Sequence, residues 1–103
     1  MDKLERILHY FPETQLPVII SEDHLSEYEN NAEAFPQAFI DEVITTWEKD
    51  VDEFTEFIPC FQLPKEEKFN AVVYWKGGLL KYDFVLVTLD KKGELISKKS
   101  IAS

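Results

Sequence analysis

Glycine is scarce in this chain of 103 residues: there are three, two of them adjacent at Gly77-Gly78 and the third at Gly93. A P-loop or a dinucleotide fingerprint needs several glycines between a strand and a helix, and here the pair joins two apolar runs instead. Cysteine is scarcer still. Cys60 stands alone, so no internal disulfide forms and a reducing compartment is expected. There are only two histidines, His9 and His24. No run approaches the roughly 18 apolar residues of a membrane span. The opening Met-Asp-Lys-Leu-Glu-Arg also lacks the apolar core of a signal peptide, so a soluble cytoplasmic protein with no membrane partner is expected.

Positive charge is missing from the first part of the chain. Residues 1–64 carry 15 acids against three bases, net −12, whereas residues 65–103 carry five acids against eight lysines, net +3. A net charge of −9 repels nucleic-acid backbones, and no nucleic-acid partner is expected. The charge split reads as a negative helical layer over a mildly positive sheet, or as an acidic surface offered to a basic partner.

What the chain does have is aromatic weight, with eight Phe, four Tyr and two Trp, enough to build a core in one domain. The strongest local pattern is residues 69–89, two alternating apolar runs joined by Gly77-Gly78, which predict a hairpin with a two-residue primed turn. In that register Trp75 faces Leu80, Val73 faces Tyr82, Ala71 faces Phe84 and Phe69 faces Leu86. The resulting face is wholly apolar and is expected to be the core. The reverse face, with Asn70, Tyr74, Lys76, Lys81 and Asp83, is expected to be mostly solvated and turns apolar only toward Val85, Val87 and Leu89.

In chain order, Asp2 to Phe11 reads as a capped helix, with Leu4, Ile7, Leu8 and Phe11 on one stripe, His9 opposite them and Pro12 ending it. Residues 16–20 read as a small edge strand or a buried extended segment, and residues 22–29 as a short acidic helix capped by Ser21. Pro36 to Trp47 is the best helix, its Phe39, Ile40, Val43, Ile44 and Trp47 clustered on one side to roof the sheet. Strands follow at 54–63, 69–76, 79–89 and 94–101. Pro59 marks the first as an edge or a bulge, Gly93 takes the left-handed position of the last turn, and Lys98 and Lys99 guard the final edge from opposite faces. The fold class is α+β: two or three short N-terminal helices packed on one face of a C-terminal four-stranded antiparallel meander. It makes one domain over residues 1–103, either complete or the N-terminal part of a longer protein.

No motif identifies a reaction. Glu22, Asp23, His24 and Glu27 are the one cluster with metal-ligand chemistry, but they lack the second histidine or thiolate of a zinc site. Asp50-x-Asp52 fails as a calcium loop at Phe54 and Thr55. Cys60 has no partner motif and reads as a packed thiol. No cofactor is expected. The reading is a non-enzymatic protein-interaction or ligand-binding module. Its contact residues would be Tyr74, Lys76, Leu79 and Lys81 beside the glycine pair, together with an open last strand able to accept another strand or form a homodimer. An alternative is an acidic inhibitor or chaperone-like protein using Glu22, Asp23, Glu27, Asp41, Glu42 and Glu48. A small enzyme, with a pocket between sheet and helices near Tyr74, Tyr82, Asp83 or His24, is the remaining reading.

Overall fold

The computed structural model describes residues 2–14, 27–28, 30, 33–49 and 51–102. The expected segment at 16–20, most of the helix at 22–29, and the residues Glu22, Asp23 and His24 lie outside them. Four strands, β1 (Glu56–Gln62), β2 (Asn70–Gly77), β3 (Tyr82–Leu89) and β4 (Leu95–Ala102), form one antiparallel sheet in chain order. Among the described residues two helices accompany them, besides the helical positions 27, 28 and 30. The first, α1 (Lys3–Leu8), starts where the Asp2 carboxylate accepts from the Glu5 N–H at 2.8 Å. The second, α2, is continuous through α-helical Gln37–Phe39, a π-helical stretch Ile40–Ile44 and α-helical Thr45–Trp47.

The π turn has a local cause. The Thr45 N–H reaches back to the Ile40 carbonyl, and the Asp41 carbonyl thus released accepts from Thr45 Oγ1 at 2.7 Å. Glu48 then leaves the helix with an extended backbone while its N–H still bonds the Ile44 carbonyl. That exit turns the Glu48 side chain inward directly after the buried Trp47.

β1 is a bulged edge strand: its register shifts between Pro59 and Phe61, where proline cannot donate to the ladder. Its end is partly covered, because the Gln62 N–H donates to Pro12 and the Thr14 N–H to Gln62. At the other turn Gly93 takes φ +86°, and the Asp90 carboxylate accepts from the Lys92 and Glu94 N–H groups.

The central hairpin departs from expectation in two ways. Trp75 pairs with Phe84, Val73 with Leu86 and Ala71 with Thr88, a register moved four residues along β3. Gly77 belongs to β2, the loop spans residues 78–81, and neither Gly77 nor Gly78 has positive φ, so no primed two-residue turn forms. The displacement is even, so the same side chains still share a face.

The second departure is the face that the helices cover. Ile7, Phe11, Phe39, Val43, Ile44 and Trp47 pack on Val72, Tyr74, Val85, Val87 and Leu89, the side expected to be mostly wet. The opposite side, with Val73, Phe84, Cys60 and Phe61, is also buried, and partly buried Tyr28, Trp75 and Leu86 pack against it. Tyr28 places its ring 5.7 Å from that of Phe61 and 6.5 Å from that of Phe84. Among the described residues the sheet centre is therefore dry on both sides.

Candidate functional site

Tyr74 projects from the middle of β2 toward the helices, and a phenol buried there needs a partner for its hydroxyl. Glu48 supplies it. Tyr74 Oη donates to Glu48 Oε2 in a short hydrogen bond, while Glu48 Oε1 accepts from Lys76 Nζ at 3.0 Å and from Lys98 Nζ at 3.2 Å. The Glu48 side chain is 3% exposed, against 21% for Lys76 and 34% for Lys98, so a nearly dry carboxylate is reached by two ammonium groups that still touch water. Burial by itself pushes the Glu48 carboxyl up. The hydrogen bonds from Tyr74, Lys76 and Lys98 and the charge of Lys76 outweigh it, and the group sits below the usual carboxylate range. The Tyr74 hydroxyl is raised, first by burial and then by its hydrogen bond to Glu48 and the charge there.

The cluster borders a cleft of about 530 Å³ between the end of α2 and the inner side of β4. Lys49, Lys76, Lys81 and Lys98 line it against two carboxylates, Glu48 and Asp83. Asp83 Oδ1 already accepts from Ser100 Oγ at 3.0 Å. A second cleft of about 440 Å³ shares Lys76, Lys81 and Asp83 and runs on to the hairpin tip. There Leu79 and Leu80 stand in water, 73% and 97% exposed.

Of the surface residues expected from sequence, Leu79 and Lys81 are exposed at the tip and Lys76 is half-buried beside them. Tyr74 and Glu48 are not on the surface: both are buried, and each is the other's partner. Asp41 and Glu42 are exposed on α2, where Asp41 accepts from Gln37 and Glu42 pairs with Arg6 at 3.4 Å. Glu27 is exposed. His9 is exposed as expected and lies 3.7 Å from Glu33.

Sequence reasoning missed Lys98 as a ligand of Glu48 and missed Lys49 and Ser100 altogether, and it put Leu80 opposite Trp75 on the core face, whereas the longer loop leaves Leu80 in water. One signal was available: Tyr74 and Lys76 alternate onto one face of β2, and an apolar face that carries both calls for an acid opposite. Cys60 is buried, and burial pushes its thiol up to about 12. Among the described residues no three His, Cys, Asp or Glu side chains stand together as a metal site, and no helix is long and apolar enough to cross a membrane. Comparison with models of protein families, with curated proteins and with solved structures finds no match to this chain.

Proposed function

We propose that the chain is a non-enzymatic binding module whose contact surface is the corner formed by the β2–β3 hairpin tip and the clefts beside it. The observation that supports this reading is the Leu79-Leu80 pair. In a chain that buries Ile7, Val72, Val87 and Leu89 completely, these two are held out at 73% and 97% exposure. They sit at the end of a hairpin paired through eight residues on each side. Adjacent apolar side chains presented from a rigid ribbon, with a cleft and lysines around them, have the make-up of an interface anchor.

Chemistry at Glu48 and Tyr74 is the competing reading, because the two titrating groups border a cleft. The directions of their shifts argue against it. General acid–base work needs groups that titrate near the working pH, yet the carboxyl is held ionised and the phenol is held protonated. The pair reads as a structural tie. An acidic outer surface meeting a basic partner is the alternative binding mode, now resting on Asp41, Glu42 and Glu27 without Glu48.

The double variant Leu79→Asp/Leu80→Asp tests the proposal. Both side chains are exposed, so stability should stay within about 0.5 kcal/mol of the parent. Proteins captured by the parent and identified should be lost by the variant. Equal capture by the two chains would remove the hairpin tip from the interface.

A further inference from the structure

β4 is the last strand of the sheet. Among the described residues nothing pairs with its outer edge, and Leu95 to Ser100 are exposed throughout. We infer that an extended acidic polypeptide segment adds to this edge as a fifth strand and places the carboxylates of one of its faces in the lysine-lined cleft. The inference rests on the binding-module reading and names the chemistry of the partner.

Three observations carry it. The first is register. Lys98 pairs with Val87 and Ser100 with Val85, so alternate residues of β4 face the side on which the cleft opens. A strand laid along β4 would send every second side chain to that same side. The second is charge. Among the described residues four ammonium groups line the cleft against two carboxylates, and both carboxylates are committed, Glu48 to two lysines and Asp83 to Ser100. An incoming carboxylate thus meets surplus positive charge, although the whole chain is −9.

The third observation concerns the competing occupant, a second copy of the same strand. A two-fold antiparallel pairing centred on β4 sets Lys98 against Lys98 or Lys99 against Lys99 of the other copy, and like charges directly opposed destabilise a sheet. The same lysines that discourage self-pairing favour an acidic strand.

The probe is a fluorescein-labelled, end-capped octapeptide of alternating valine and glutamate, with the lysine-for-glutamate peptide and inorganic phosphate as comparisons. Anisotropy and ¹⁵N amide shifts are read on the full chain. The glutamate peptide should bind saturably and shift amides of residues 95–102. Its affinity should fall about five-fold or more between 50 and 300 mM salt, and by a similar factor in Lys81→Glu, an exposed position whose substitution leaves the core intact.

Equal or tighter binding of the lysine peptide would overturn the acidic class. Shifts confined to the cleft lysines, or phosphate displacing the peptide with no change at β4, would overturn strand addition. If neither peptide binds while Leu79→Asp/Leu80→Asp still abolishes partner capture, this inference fails and the binding-module reading stands. If both fail, the reading falls with it.

Discussion

A methyl group placed on the α-carbon of Gly77 would stand 1.9 Å from Cη2 of Trp75, so the indole occupies the space that any other residue's β-carbon needs. The ring lies back along its own strand and stacks on Tyr82 at 6.3 Å, across from Gly77 in the ladder. Glycine is required here for room rather than for a left-handed backbone. Gly77→Ala should displace the indole, red-shift its emission in a Trp47→Phe background, and destabilise the fold by about 1–3 kcal/mol as other overpacked sites do. Gly78→Ala is the control: its new carbon would meet nothing nearer than the Lys81 carbonyl oxygen at 3.8 Å, and stability should barely change.

The two tryptophans should differ in weight. Trp47 is 6% exposed and stacks on Tyr74 at 6.2 Å, whereas Trp75 is only partly buried. Trp47→Ala should cost about 3–5 kcal/mol in urea denaturation. Trp75→Ala should cost clearly less, and the reverse order would contradict the assignment of the helix-covered face.

Glu48 sets an acid limit on stability. Its folded-state pKa lies below the ordinary 4.5, so the unfolded chain takes up the proton first as pH falls. The stabilisation is complete above about 4.5 and is lost as pH drops through the folded value. Glu48→Ala at pH 7 should cost about 3 kcal/mol, the low end for breaking a buried pair, since both lysines can swing to water. Glu48→Gln should cost less at pH 7 and lose less stability between pH 5 and 3 than the parent. Asp90, held low by backbone N–H groups of its turn, adds acid sensitivity in the same direction, so the Gln variant should flatten the profile without levelling it. A profile unchanged by Glu48→Gln would refute the linkage.

Cys60 should be inert in the folded chain. With the residue 2% exposed and its thiol pushed up to about 12, almost no thiolate exists at pH 7.5. Reaction with a disulfide reagent should be limited by unfolding and should accelerate with denaturant in step with loss of the fold. Prompt labelling in native buffer would be inconsistent with this burial.

Sequence periodicity located the strands to within three residues at their ends and identified the meander, the bulge at Pro59 and the left-handed Gly93. It failed on which side the helices lie. Alternation identifies a core face when the other face is wet, but Val72, Val73, Tyr74, Phe84, Val85 and Val87 are all buried, so both faces compete for the helices. Counting apolar residues favoured the side of Val73 and Phe84. The roofed face carries one polar detail, since Tyr74 and Lys76 both bond the acid at the end of α2. Glu48 is that acid, and it reads as one more surface charge until its backbone is seen to leave the helix. The loop at 78–81 was hidden for a similar reason: a glycine pair announces a tight turn, and only the bulk of Trp75 reveals that Gly77 serves the strand.

The Glu48 carboxylate draws its three donors from positions 74, 76 and 98, so β2 alone reaches both of its oxygens and the final strand adds a second ammonium group to Oε1. A frayed chain lacking that strand keeps Tyr74 and Lys76 on the acid but loses one of the two ammonium groups that offset its burial. Lys98 thereby ties the last strand to the end of α2, and loosening of β4 should raise amide exchange at the end of α2 as well as in residues 95–102.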